Sequence, residues 1–293
     1  MRIREFRIQY GPRNLNMRFS TTVGLLVGQA ISTAATGVLL PLYVYPSQEA
    51  GDGAVDWNPV FEAISSNANI PWLVVVDPLN GPGASGKPGN DDINYIDGTS
   101  KLNSYSNVKT IGYIRTNYGQ APLDELKANI TTWSNWGAYA AADVGVDGIF
   151  FDESTADFDY LNEAITHARN SFSGSITTIC NFGSRAEAEY YSICDVVIAF
   201  ESCLNCSDGP PYESQKTLSS NIPAGYESKA AVILNRFTGT SADDKEANRG
   251  LVDEYVKTIK ESGLGWYYFT SADYNTIDAE PATVGANVDA LVP

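Results

Sequence analysis

Histidine is almost absent: His167 is the only one in 293 residues. A single copy excludes poly-histidine zinc chemistry, and it leaves Ser-His-Asp or Cys-His catalysis open only if His167 itself carries it. His167 falls off the apolar stripe of its helix, so a solvated surface position is expected. Basic residues are scarce too, 19 Lys and Arg against 35 Asp and Glu, for a formal charge of −16. Phosphate binding needs basic patches, so nucleic acid is excluded as a partner. No GxGxxG follows the first apolar run, which leaves nucleotide binding without support. Cysteines number four, Cys180, Cys194, Cys203 and Cys206, all within 27 positions. An even, clustered set predicts two disulfides in an oxidising compartment, with three pairings open. What remains is ordinary globular composition, 43% apolar with 25 Gly and 14 Pro, and a core of this size needs no staples.

The first 35 residues differ from the rest. Arg2, Arg4, Arg7, Arg13 and Arg18 precede an uncharged run from Phe19 to Gln48. Within it, Val23 to Gly28 has the length of a signal-peptide apolar region, and Ser32 to Ala35 supplies small residues for cleavage. Residues 1–35 therefore read as a basic extension and signal peptide, with an uncleaved signal anchor as the alternative. Residues 36–293 form the mature domain. Removing 1–34 leaves 14 basic against 34 acidic residues, a charge of −20. Two sequons, at Asn129 and Asn205, fit a secreted chain.

Eight short apolar runs recur along the mature chain: Val38–Tyr45, Trp72–Val76, Thr110–Ile114, Gly148–Phe151, Ile176–Ile179, Val196–Phe200, Ala231–Leu234 and Gly265–Phe269. Several are continuously apolar, as strands buried on both faces must be. Amphipathic helices lie between them. Leu123, Leu126, Ile130 and Trp133 mark one, and Phe158, Leu161, Ile165 and Ala168 another. A third runs from Leu251 to Ile259, with Ser241 and Asp244 expected at its start and Gly263 past its end. Eight strands alternating with helices over about 255 residues predict an α/β fold, a single (β/α)₈ barrel.

In such a barrel chemistry sits beyond the C-terminal strand ends. Those ends read Tyr45, Asp77, Arg115, Asp152–Glu153, Asn181, Glu201, Asn235–Arg236 and Thr270. Asp152 and Glu153 follow the fourth run directly, and Glu201 follows the sixth. One strand would separate them, putting their backbones about 10 Å apart at ~4.8 Å per strand. Carboxyls leaning inward from there can reach either ~5 Å or ~6.5–9.5 Å, the separations of retaining and inverting glycosidases. Asp152, Glu153 and Glu201 are the candidate catalytic residues, with Asp152 as the ionised partner and Glu201 as general acid/base. No cofactor or metal is implied.

Gly37–Pro46, Asp77–Gly83, Ile111–Gly119, Asp147–Glu153 and Asp195–Glu201 together resemble the spherulin-4 family in order and spacing. That resemblance implies a (β/α)₈ fold and kinship with fungal secreted glycoside hydrolases of family one hundred and thirty-five. These are endo-acting enzymes that cleave α-1,4-linked N-acetylgalactosamine in galactosaminogalactan. It places the family's acidic pair on Asp152 and Glu153, and its later essential glutamate on Glu201. A sugar-binding rim is expected from Tyr45, Asp77, Asn80, Tyr113, Arg115, Tyr118, Asn181, Asn235 and Trp266. Two positions depart from the family pattern. Asp77 stands where an asparagine is usual, and Phe182 where a proline is usual. The expected partner is a polysaccharide, met by a secreted monomer. The competing reading is a non-catalytic spore or cell-wall glycan-binding protein.

Overall fold

The computed structural model describes residues 35–49 and 51–292; the expected signal segment and the expected domain boundary after residue 35 lie outside or at the edge of them. Among these residues the strands are β1 (Gly37–Leu42), β2 (Trp72–Val76), β3 (Val108–Arg115), β4 (Gly148–Asp152), β5 (Thr177–Asn181), β6 (Val196–Cys203), β7 (Ala230–Asn235) and β8 (Trp266–Phe269). The helices are α1 (Asn58–Ser66), α2 (Ile93–Asn103), α3 (Leu123–Trp136), α4 (Phe158–Ser171), α5 (Tyr190–Ile193), α6 (Gln215–Asn221), α7 (Arg249–Ser262) and α8 (Val284–Leu291). Each strand pairs in parallel with the next, and β8 returns to β1. The result is a closed (β/α)₈ barrel.

Successive strand residues point to opposite faces, and the burial pattern follows that rule. Leu39, Leu73, Val75, Ile111, Phe150, Ile179, Ile198 and Ile233 fill the barrel. Their neighbours Leu40, Val74, Val76, Ile114, Phe151 and Val232 pack outward beneath the helices. At Gly148 the β5 backbone comes so close that a Cβ would lie 2.0 Å from the Thr177 carbonyl oxygen. Only glycine fits there.

The helices form where the periodicity places them, with two differences at the surface. Helix α7 begins at Arg249, capped by the Asn248 side chain on the Leu251 N–H. Ser241 and Asp244 lie in the preceding loop instead, where the Ser241 carbonyl accepts from Asp244 and its hydroxyl from Lys245. The cap expected from them belongs to Asn248, whose free side chain sits at the true first turn. His167 is half-buried at the α3–α4 seam, against the Thr131 hydroxyl and the Lys127 carbonyl. It is on the outer ring, away from the strand ends. The cysteines pair as Cys180–Cys194 and Cys203–Cys206. Thr36, Ile70, Gly263, Leu291 and Val292 line one cavity of about 620 Å³ at the N-terminal face of the barrel, so both ends of the described chain meet there.

Candidate active site

The inward positions of the strands, continued one step past their apolar residues, bring the polar side chains to one mouth. Asp77 follows Val75, Arg115 follows Tyr113, Asp152 follows Phe150, Asn181 follows Ile179 and Asn235 follows Ile233, each two residues on. Glu201 breaks the rule, lying three residues after the inward Ile198. The cause is a bulge. Ile198 pairs with Ala231 and Phe200 with Val232, so Ala199 is the extra residue. The bulge turns Phe200 outward, into the layer under the helices, and aims Glu201 back into the barrel.

Asn181 holds the two carboxylates together. Its amide nitrogen donates to Asp152 Oδ1 at 2.7 Å and to Glu201 Oε2 at 2.6 Å. Its amide oxygen accepts from the Gly183 N–H at 2.9 Å, which fixes the orientation of the amide. Those two carboxylate oxygens therefore lie no farther apart than the two bonds end to end, 5.3 Å. The remaining oxygens are held by phenols. Tyr113 donates to Asp152 Oδ2 at 2.6 Å, and Tyr274 donates to Glu201 Oε1. Burial holds the Glu201 carboxyl above the usual carboxylate range and the nearby Asp152 charge adds to this, against the lowering effect of the Tyr274 and Asn181 hydrogen bonds.

Glu153 turns away from this pair. It has a left-handed φ of 50°, and Arg115 grips its carboxylate with Nε at 2.8 Å and Nη2 at 3.0 Å. Tyr118 (φ 54°) and Arg236 (φ 48°) also adopt left-handed backbone beside the cleft. Such residues cost on the order of 1–3 kcal/mol each and persist where the surroundings over-determine them. The cleft encloses about 440 Å³, with Asp152, Glu153, Asn181 and Glu201 on its floor and Tyr118 and Arg236 on its walls. Arg236 pairs with Asp208 at 3.2 Å and meets Cys206 Sγ, so the disulfide-clasped loop after β6 forms one wall.

Most of the expected residues converge on this mouth, and others do not. Asp152, Glu153, Glu201, Tyr118, Asn181 and Asn235 line the cleft, and Tyr113 and Arg115 touch it through their carboxylate partners. Asp77 is half-buried beside them, one oxygen accepting from the Gly81 N–H at 2.9 Å. Burial, with a contribution from Asp152, pushes its carboxyl up to about 6 against the backbone N–H groups of the turn. Asn80, in left-handed backbone, stays exposed in that turn. Tyr45 is exposed beyond the cleft wall, its hydroxyl donating to Asp92. Trp266 does not belong to the rim. It opens β8, pairs with Gly37 and Ala231, and faces a cavity with Pro71 and Lys109 at the opposite end of the barrel. A residue at the start of a parallel strand lies a full strand length from the mouth, whatever its chemistry. Tyr43 and Tyr274 are the residues missing from the expectation. Tyr43 continues the inward alternation of β1 and was readable from it; Tyr274 lies in the loop after β8, where no periodicity marks it.

The model of the spherulation-specific family 4 matches residues 37–291. The chain belongs to this family. Spherulin-4 of Physarum polycephalum, a curated relative, is 27% identical over 281 residues, covering 89% of this chain and 73% of its own length. The crystal structure of Aspergillus clavatus Sph3 in complex with GalNAc superposes with a TM-score of 0.71 at 23% identity, covering 88% of this chain and 98% of that one. The two chains share the barrel fold. Within it the matched segment spans every strand, so Asp152, Asn181 and Glu201 all lie inside the family's own domain.

Proposed function

We propose that this spherulin-4 protein is a secreted, endo-acting glycoside hydrolase that cleaves α-1,4-linked N-acetylgalactosamine in galactosaminogalactan-type polysaccharide. The observation that carries the reading is the amide-bridged carboxylate pair, Asp152 and Glu201, with facing oxygens no more than 5.3 Å apart. That ceiling lies below the ~6.5–9.5 Å of an inverting pair and favours the retaining arrangement, about 5–5.5 Å. Asp152 attacks the anomeric carbon as the glycosidic bond breaks, and Glu201 gives its proton to the departing oxygen. Water then displaces Asp152 from the sugar, Glu201 taking the proton back. The raised Glu201 suits the acid role, because a poor alkoxide leaving group needs a carboxyl still protonated near working pH. Arg115 holds Glu153 fixed beside the pair. The two disulfides support an oxidising compartment.

The test is incubation of the purified chain with galactosaminogalactan, chitin and a galactosamine polymer, with mass spectrometry of released oligosaccharides. Oligosaccharides from galactosaminogalactan and none from chitin, appearing first as the retained anomer by NMR, are the expected result. Products from none of the three would overturn the enzyme reading in favour of a glycan-binding protein.

A further inference from the structure

Each of the four oxygens of Asp152 and Glu201 already has a donor from Tyr113, Asn181 or Tyr274. Two polar groups beside them are left over. The Tyr43 ring stands edge-on to both carboxylate-holding phenols, 5.5 Å from Tyr113 and 5.7 Å from Tyr274 between centroids. Its hydroxyl has no hydrogen-bond partner among the described residues, although the other phenols of this group do. Asp77 follows the neighbouring strand, where its Oδ1 accepts from the Gly81 N–H and its second oxygen accepts no hydrogen bond among the described residues. Leu42 pairs with Val76, so Tyr43 and Asp77 are the next step of the same register and project into the barrel mouth together.

The charge balance there is one-sided. Arg115 and Arg236 are the cations of the mouth, and each is committed to its own carboxylate, Glu153 and Asp208. Among the described residues no Lys or Arg pairs with Asp77, Asp152 or Glu201. Buried charges are normally paired, and a carboxylate with an open oxygen on the strand next to an open phenol offers one acceptor and one donor to the same mouth. An amino sugar presents the complement, an ammonium next to a ring hydroxyl.

Resting on the hydrolase reading, we propose that Tyr43 and Asp77 form the subsite that selects a hexosamine with a free amine over its N-acetylated form, Asp77 accepting from the ammonium and Tyr43 donating to the adjacent hydroxyl oxygen. An asparagine at position 77 would keep the shape but lose the charge. An acetamido group can still donate its N–H, but without the Coulombic attraction that makes charge-assisted bonds about twice as strong as neutral ones.

Calorimetric titration of the full chain with galactosamine and with N-acetylgalactosamine near neutral pH tests this. The intact chain should bind galactosamine about tenfold or more tightly than N-acetylgalactosamine. Asp77→Asn should abolish that preference while holding N-acetylgalactosamine within about threefold of its original affinity. Tyr43→Phe keeps the ring packing and should weaken both sugars by about tenfold. Melting temperatures no lower than that of the intact chain separate these effects from misfolding. A preference that survives Asp77→Asn, or full affinity in Tyr43→Phe, overturns the assignment. Polymer digestion run beside the titrations keeps the two readings apart. Hydrolysis with no amine preference removes this inference alone, and amine preference without hydrolysis of any polymer removes catalysis alone.

Discussion

Asn181 is the residue on which the site turns. Its amide is oriented by the Gly183 N–H, so both of its hydrogens go to carboxylates and neither Asp152 nor Glu201 can swing away freely. Replacing Asp152 with Asn or Glu201 with Gln keeps the shape and removes the ionisable group. Turnover on galactosaminogalactan should fall by about two to four orders of magnitude in each, with binding of oligosaccharide retained; near-normal turnover in Glu201→Gln would transfer the acid role to Glu153. Asp77 gives a second prediction, on stability. Its carboxyl is raised from 3.8 to about 6 in the folded chain, so the folded state holds that proton more tightly than the unfolded one does. The stabilisation is fully present below about pH 4 and is lost as pH rises through about 6. A shift of two units corresponds to on the order of 3 kcal/mol. Melting temperature should therefore decline between about pH 4 and 7, and Asp77→Asn should make that decline shallower.

At the scale of elements, β6 decides whether Glu201 faces the sugar or the helices. Deleting Ala199 removes the bulge but leaves Phe200 opposite the outward Val232 and Glu201 opposite the inward Ile233, so the two residues keep their faces. Hydrolysis should therefore survive the deletion, and its loss in a chain whose circular dichroism keeps the barrel's signature would show that the bulge itself sets the position of Glu201. The strands themselves were legible because they are buried on both faces and read as unbroken apolar runs. Asp152 and Glu201 were legible as the first charges after LVVV-like runs. The bulge was not, because an inserted alanine inside VVIAF changes no hydrophobic pattern. Tyr274 was hidden for a different reason: it reaches Glu201 from 73 positions along the chain, within a loop that has no period. Trp266 is aromatic like a rim residue, but it opens β8 and so lies a strand length from the mouth.

For the whole molecule, charge acts at longer range than any contact. A chain with 35 acidic and 19 basic residues should draw in a polymer that carries free amines, over a Debye length of about 8 Å at physiological salt. Digestion of such a polymer should slow as salt rises, while a neutral fragment should be cut at a constant rate; equal salt responses would mean the acidity plays no part in encounter. The barrel also has a direction. Thr36 and Leu291 meet on the face from which the strands start, and the carboxylates sit where they finish. A tether at either end of the domain thus leaves from the underside, with the mouth pointing away from whatever surface holds it. Fixed to a bead, a wall or a fused partner, the protein would present its cleft outward like a cup held by the base.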